Sequence, residues 1–167
     1  MAMSIKVFFA FGVDHRIRQA VSSAAKNYRS AKKILVFSSE QKRLDMFSRL
    51  LWDLAPDAFI PQEAIRSSEH LTELIADEWA VDGKAQPIFL VQNAELLTNQ
   101  ELLANAADMW LLNLDLACPP NYQQFACVLE IVSDHEADKQ YARRRWKQYR
   151  AEGADLISHQ IGKAKED

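Results

Sequence analysis

Glycine is scarce in this 167-residue chain: there are four, at positions 12, 83, 153 and 162. With so few, neither G-x-x-x-x-G-K-[ST] nor G-x-G-x-x-G can be written, which excludes the backbone loop that cradles phosphate in common nucleotide sites. Cysteine is scarcer still. Cys118 and Cys127 lie apart from any histidine or further cysteine at metal-ligand spacing, so a zinc site and a disulfide framework are both excluded, and a reducing cytoplasm is the expected setting. Neither has an arginine six residues on, as a phosphatase loop would; they read as small buried hydrophobes. Long apolar runs are missing too. The stretch from Val7 to Phe11 is far shorter than the roughly 20 residues of a membrane span and lacks a signal-type cleavage site. A basic excess is also absent: 20 Lys and Arg stand against 23 Asp and Glu, a formal charge of -3, which argues against a surface that binds nucleic acid everywhere.

What is present is enough apolar side chain, 49% of residues, to build one core unaided. No internal repeat or linker divides the chain, and a single domain is expected over 1–161 with a frayed charged tail over 162–167. The β-branched and aromatic run from Ile5 to Phe11, closed by Gly12, predicts a buried strand, and Asp14 is a candidate cap for a helix from His15 to Arg29. A strand from Ile34 to Phe37 follows. Ser38 or Ser39 can cap a helix to about Leu54, with Leu44, Phe47, Leu51 and Leu54 as its core stripe and Pro56 as its stop. At 100° per residue, Trp52 projects roughly 140° from that stripe, so it needs a partner elsewhere.

Beyond it, Phe59 to Pro61 read as extended, Ser68 to Ala80 as a helix ending before the Asp82-Gly83 turn, and Ile88 to Val91 as a strand. Leu96 to Ala106 read as a helix with Thr98 as candidate cap, and Met109 to Leu114 as a strand. Phe125, Val128, Leu129 and Val132 recur at helical spacing, and Asp134 can cap a last helix to about Glu152, ended by Gly153. Alternating strands and helices predict an α/β, Rossmann-like fold: a mostly parallel sheet with helices on both faces.

One segment reverses the acidic balance. Between Lys139 and Arg150 the chain reads KQYARRRWKQYR, with six basic residues and no acidic one. On a helical wheel Lys139, Arg143, Lys147 and Arg150 fall within roughly 80°, and Ala142, Trp146, Tyr149 and Gly153 occupy the adjoining sector. A solvated basic face is one reading of this pattern. An anion site is the other, since a guanidinium meets a free C-terminal carboxylate bidentately while lysine adds a second charge. Nucleic acid phosphate would serve as well.

The run DKQYARRRWKQYRAEG, Asp138 to Gly153, resembles the C-terminal helix of the chi subunit family of bacterial DNA polymerase III holoenzyme. RSAKKILV (Arg29 to Val36) and LLWDLAPDAFIP (Leu50 to Pro61) are similar to two further blocks of that family, in the same order and spacing. The resemblance implies a non-catalytic accessory subunit, with no catalytic residue and no cofactor or metal. It would pair with the psi subunit of the clamp loader as a heterodimer and hold the acidic C-terminal tail of single-stranded-DNA-binding protein, which ends in Pro-Phe. DNA would be met only indirectly, and no membrane is involved. By motif position Arg143 and Lys147 would meet the tail's carboxylates, with Lys139 adding long-range attraction and Arg150 extending the basic face. Trp52, Phe59, Ile60, Pro61 and Val132 would line an apolar pocket beside Trp146. Unlike many relatives, this chain has no glycine from Gln62 to Ala80 and an added helix there, which predicts a changed pocket wall.

Direct single-stranded nucleic acid binding is the rival reading, because arginine beside tryptophan also suits stacking and phosphate contact. His15 beside Asp14, and Asp134-His135-Glu136, are explained more simply as helix-start turns than as catalytic or metal clusters. His70 and His159 are isolated and read as structural.

Overall fold

The computed structural model describes residues 4–54, 59–76 and 86–161. Seven strands, β1 (Lys6–Val13), β2 (Lys33–Phe37), β3 (Gln62–Ile65), β4 (Ile88–Val91), β5 (Met109–Asn113), β6 (Cys127–Ser133) and β7 (Asp155–Gln160), form one sheet in the order β3-β4-β2-β5-β6-β1-β7. Every neighbouring pair is parallel. Parallel pairing demands crossovers, and the helices supply them: α1 (Arg16–Arg29), α2 (Gln41–Leu54), α3 (Ser68–Leu74), α4 (Gln100–Ala104) and α5 (Glu136–Ala151). This is the α/β, Rossmann-like architecture that the alternating pattern predicts.

The sheet has a core on each face, as side chains alternate along each strand. One face packs Ile34, Val36, Leu112, Leu129 and Ile131 against Ala20, Val21 and Ala24 of α1 and Leu44, Phe47 and Leu51 of α2. The other packs Val7, Phe9, Leu111, Val128 and Val132 against Leu71 of α3, Leu102 of α4, and Ala142 and Tyr149 of α5.

Several local expectations are corrected. Phe125, Val128, Leu129 and Val132 do not make a helix. Cys127–Ser133 is a strand buried at every position, and a strand covered on both faces loses the alternation that would betray it. The predicted helix from Leu96 to Ala106 is broken into a 3-10 turn, Ala94–Thr98, and the short α4, each capped by an asparagine, Asn93 and Asn99, rather than by Thr98. His15, not Asp14, is the N-cap of α1, its Nδ1 accepting from the Arg18 N–H, and His135, not Asp134, occupies the N-cap position of α5. Leu54 ends α2 exposed instead of completing its core stripe. The helix expected from Ser68 to Ala80 is α-helical to Leu74; residues 77–80, the Asp82-Gly83 turn, Pro56 and the 162–167 tail lie outside the described residues. Two strands had no counterpart in the sequence reading, β3 and β7, and they are the two edges of the sheet.

Candidate functional site

The site is built where the first strand meets the last described one. Residues of β1 two apart share a face, which aims Phe9 and Phe11 at α5. Gly12 then takes φ +84°, and the pairing with β6 slips between Phe11 and Val13. A Cβ on Gly12 would stand 3.3 Å from Gln160 Cγ, so glycine serves both the left-handed backbone and the close approach of β7. Across from β1, α5 buries Ala142 and Tyr149 and sets the half-buried Trp146 edge-on against Phe9, ring centroids 5.0 Å apart.

Between these elements lies an open pocket of about 510 Å³. Phe9, Phe11, Val132, Ala142 and Trp146 give it an apolar floor. Lys139 and Arg143 stand at one side, and Ser158 and Gln160 of β7 at the other. Such a volume suits one aromatic side chain and a few neighbouring groups.

The three consecutive arginines of α5 have three fates. Arg143 borders the pocket and pairs with Glu136 at 3.5 Å, both side chains being more than 60% exposed. A pair so open to water is weak and exchanges readily for another anion. Arg144 lies over the Tyr141 ring, 5.5 Å from its centroid. Arg145 is not part of the basic face at all: its side chain is 1% exposed and its Nε donates to Glu130 Oε1 at 3.0 Å. Glu130, on β6, also accepts from Asn113 Nδ2 at 2.8 Å and from the Tyr149 hydroxyl at 2.6 Å. Arg145 Nη1 donates to the Leu116 carbonyl at 3.1 Å, while its Nη2 is buried without a hydrogen bond. Burial, and next to it the Glu130 charge, hold the Tyr149 phenol far above its ordinary range. This network fixes the rotation of α5 on the sheet and so decides which of its residues face the pocket.

Of the residues expected to act together, the structure brings together Lys139, Arg143, Trp146 and Val132. Lys147 and Arg150 are exposed further along α5 and do not line the pocket. Trp52, Phe59, Ile60 and Pro61 are elsewhere, which corrects the expected single cleft. The β2-α2-β3 crossover carries them toward the β3 edge, six strand spacings or about 29 Å from β7. Ile60 is buried in the core on the α1 and α2 face, the face opposite α5. The Pro61 carbonyl accepts from the Ile88 N–H, at the entry to β3. Trp52 and Phe59 remain 58% and 67% exposed with ring centroids 5.3 Å apart, so the partner that Trp52 finds is Phe59. Nor does the added helix α3 change the pocket wall, since it packs through Leu71 and Leu74 beside β3. The pocket is instead lined by Phe9 and Phe11 in its floor and Ser158 and Gln160 at its side, which sequence reasoning missed. The two-residue spacing of Phe9 and Phe11 was the available signal.

The family model for "DNA polymerase III chi subunit, HolC" matches residues 3–157. The chain belongs to the DNA polymerase III chi subunit family. The DNA polymerase III subunit chi of Haemophilus influenzae is 28% identical over 144 residues, 86% of this chain and 85% of that protein. As a chi-family chain it is an accessory subunit of DNA polymerase III, the replicative polymerase. Among the described residues no group of three His, Cys, Asp or Glu is placed to hold a metal, and no helix is long and apolar enough to cross a membrane.

Proposed function

We propose that this chi-family protein is a non-catalytic bridge in the cytoplasm, holding the acidic C-terminal tail of single-stranded-DNA-binding protein at one edge and the psi subunit of the clamp loader at the other. The observation that carries the first half is the pocket of Phe9, Phe11, Val132 and Trp146 with Lys139 and Arg143 at its side. A terminal phenylalanine buries apolar area worth about 2 kcal/mol, and the carboxylate beside it needs a cation where water is excluded. Lys147 and Arg150 extend the positive field along α5 and speed the approach of upstream aspartates. For the second half, Trp52 and Phe59 form an exposed aromatic pair on the far side of the sheet, and paired exposed rings are the usual anchors of a protein interface. A bridge requires two surfaces that do not compete, and these are separated by the width of the sheet.

Direct single-stranded nucleic acid binding is less well supported. A stacking groove needs open ring faces beside phosphate contacts. Here the most exposed rings, Trp52 and Phe59, are distant from the α5 cations, Tyr141 has Arg144 over its face, and Trp146 is half-buried against Phe9. The test is titration by tryptophan fluorescence with an acidic peptide ending in Pro-Phe, the same peptide without its terminal Phe, and an oligonucleotide. Saturable binding of the first alone, weakened at least tenfold in Arg143→Ala, is expected. Tight oligonucleotide binding without peptide binding would reverse the assignment.

A further inference from the structure

We infer that an acidic peptide held in this pocket continues along β7 as an eighth, parallel strand, so that backbone hydrogen bonds to the sheet edge form part of its recognition. The inference rests on the pocket reading above and adds to it the mode of docking.

β7 pairs with β1 on one side, and among the described residues no strand lies on its other side. The Asp155 N–H donates to the Ile5 carbonyl and the Ile161 N–H to the Phe11 carbonyl. In a parallel ladder the residues that bond the neighbour alternate, so Asp155, Ile157, His159 and Ile161 face β1. The N–H and C=O groups of Leu156, Ser158 and Gln160 therefore point outward. Ser158, His159 and Gln160 are exposed, and no proline or lysine, the usual guards of a strand edge, occurs from Asp155 to Gln160. Ser158 and Gln160 also line the pocket, so the open edge runs directly out of the proposed tail site.

Direction and charge follow from the topology. α5 leaves the C-terminal end of β6 and returns to the N-terminal end of β7, so it runs antiparallel to β7. A peptide whose carboxylate lies by Arg143 has its upstream residues beside Ser158 and then Leu156, parallel to the other strands. Arg143 and Lys147 are four residues apart on the helix, about 6 Å along its axis. Alternate residues of an extended peptide advance about 6.6 Å. Carboxylates at every second peptide position would thus track the α5 stripe, while intervening side chains turn to the opposite face, where His159 and Lys26 border a separate groove.

The experiment uses the full chain and a set of acidic Pro-Phe peptides, each methylated at one successive upstream backbone nitrogen. Expected is an alternation in affinity: methylation of N–H groups that face β7 weakens binding five- to tenfold, and methylation of the intervening ones changes it less than twofold. Hydrogen exchange of the Leu156, Ser158 and Gln160 amides should slow on peptide binding. Ser158→Pro, which removes an outward donor without breaking the ladder to β1, should weaken binding more than Ser158→Ala does. If the unmodified peptide binds but methylation has no alternating effect and the three amides exchange as before, the added strand is refuted and the pocket stands. If the unmodified peptide does not bind at all, the pocket reading falls and takes this inference with it.

Discussion

Replacing Arg145 by Met should unfold the protein far more readily while leaving its solvent-facing charge almost unaltered. The guanidinium is 1% exposed and the Glu130 carboxylate 0%, so the substitution strands a buried anion whose nearest remaining cation, Arg16, is 3.8 Å away. Breaking such a pair from one side costs about 3–5 kcal/mol. For a chain of this length an unfolding entropy of about 2.1 cal/mol/K per residue turns that into a fall in Tm of roughly 10 °C. Arg143→Ala removes an exposed partner of Glu136 and should cost less than about 0.5 kcal/mol, yet on the function proposed above it is the change that should weaken tail binding. Urea denaturation followed by far-UV circular dichroism, run beside peptide titration of both variants, separates the two effects. A loss below about 1 kcal/mol in Arg145→Met, or an equal loss in Arg143→Ala, would refute the division of the arginine run into one structural and one binding residue.

Gly12→Ala should cost about 1 kcal/mol or more, because φ is +84° and the new Cβ meets Gln160; by pushing β7 outward it should also weaken tail binding, which the same titration reads. Trp52→Ala and Phe59→Ala should change stability by less than about 1 kcal/mol and leave tail affinity within twofold, while abolishing capture of the psi subunit in a pull-down. Stability should fall from pH 9 upward. Burial pushes the Cys127 thiol from 9.0 up to about 12, so the folded chain keeps a proton that the unfolded chain releases; the stabilisation is complete below pH 9 and lost between 9 and 12. Urea midpoints measured across that range should decline, and less steeply in Cys127→Ala. Cys118, raised to about 12 chiefly by burial, acts in the same direction.

The parts of the structure that the sequence announces are those whose signal is local. α1 and α2 show their apolar stripes, and β2, β4 and β5 are short apolar runs set off by helices. β6 failed because a strand covered on both faces has no polar side, and Phe125 with three of the strand's own residues, Val128, Leu129 and Val132, happened to match a helical spacing. β3 and β7 failed because at least half of their residues are polar, and only their neighbours in space define them. At the site, the helical wheel joined Lys139, Arg143, Lys147 and Arg150 beside Trp146; Lys139, Arg143 and Trp146 do border one pocket, while Lys147 and Arg150 lie further along the helix. It could not show that Arg145, one residue from Trp146, turns inward to Glu130, since a basic run looks the same whether its members meet solvent or a buried carboxylate. Nor could it separate Trp52 and Phe59 from the pocket, for that distance is a property of strand order.

The strand that opens the chain and the strand that closes the described fold share one seam, and the pocket straddles it. On the ribosome, a nascent chain therefore exposes Phe9 and Phe11 long before Ser158 and Gln160 emerge to confine them. Synthesis arrested after α5 would leave a positively charged helix with no opposing wall, so the pocket is complete only once β7 has been made.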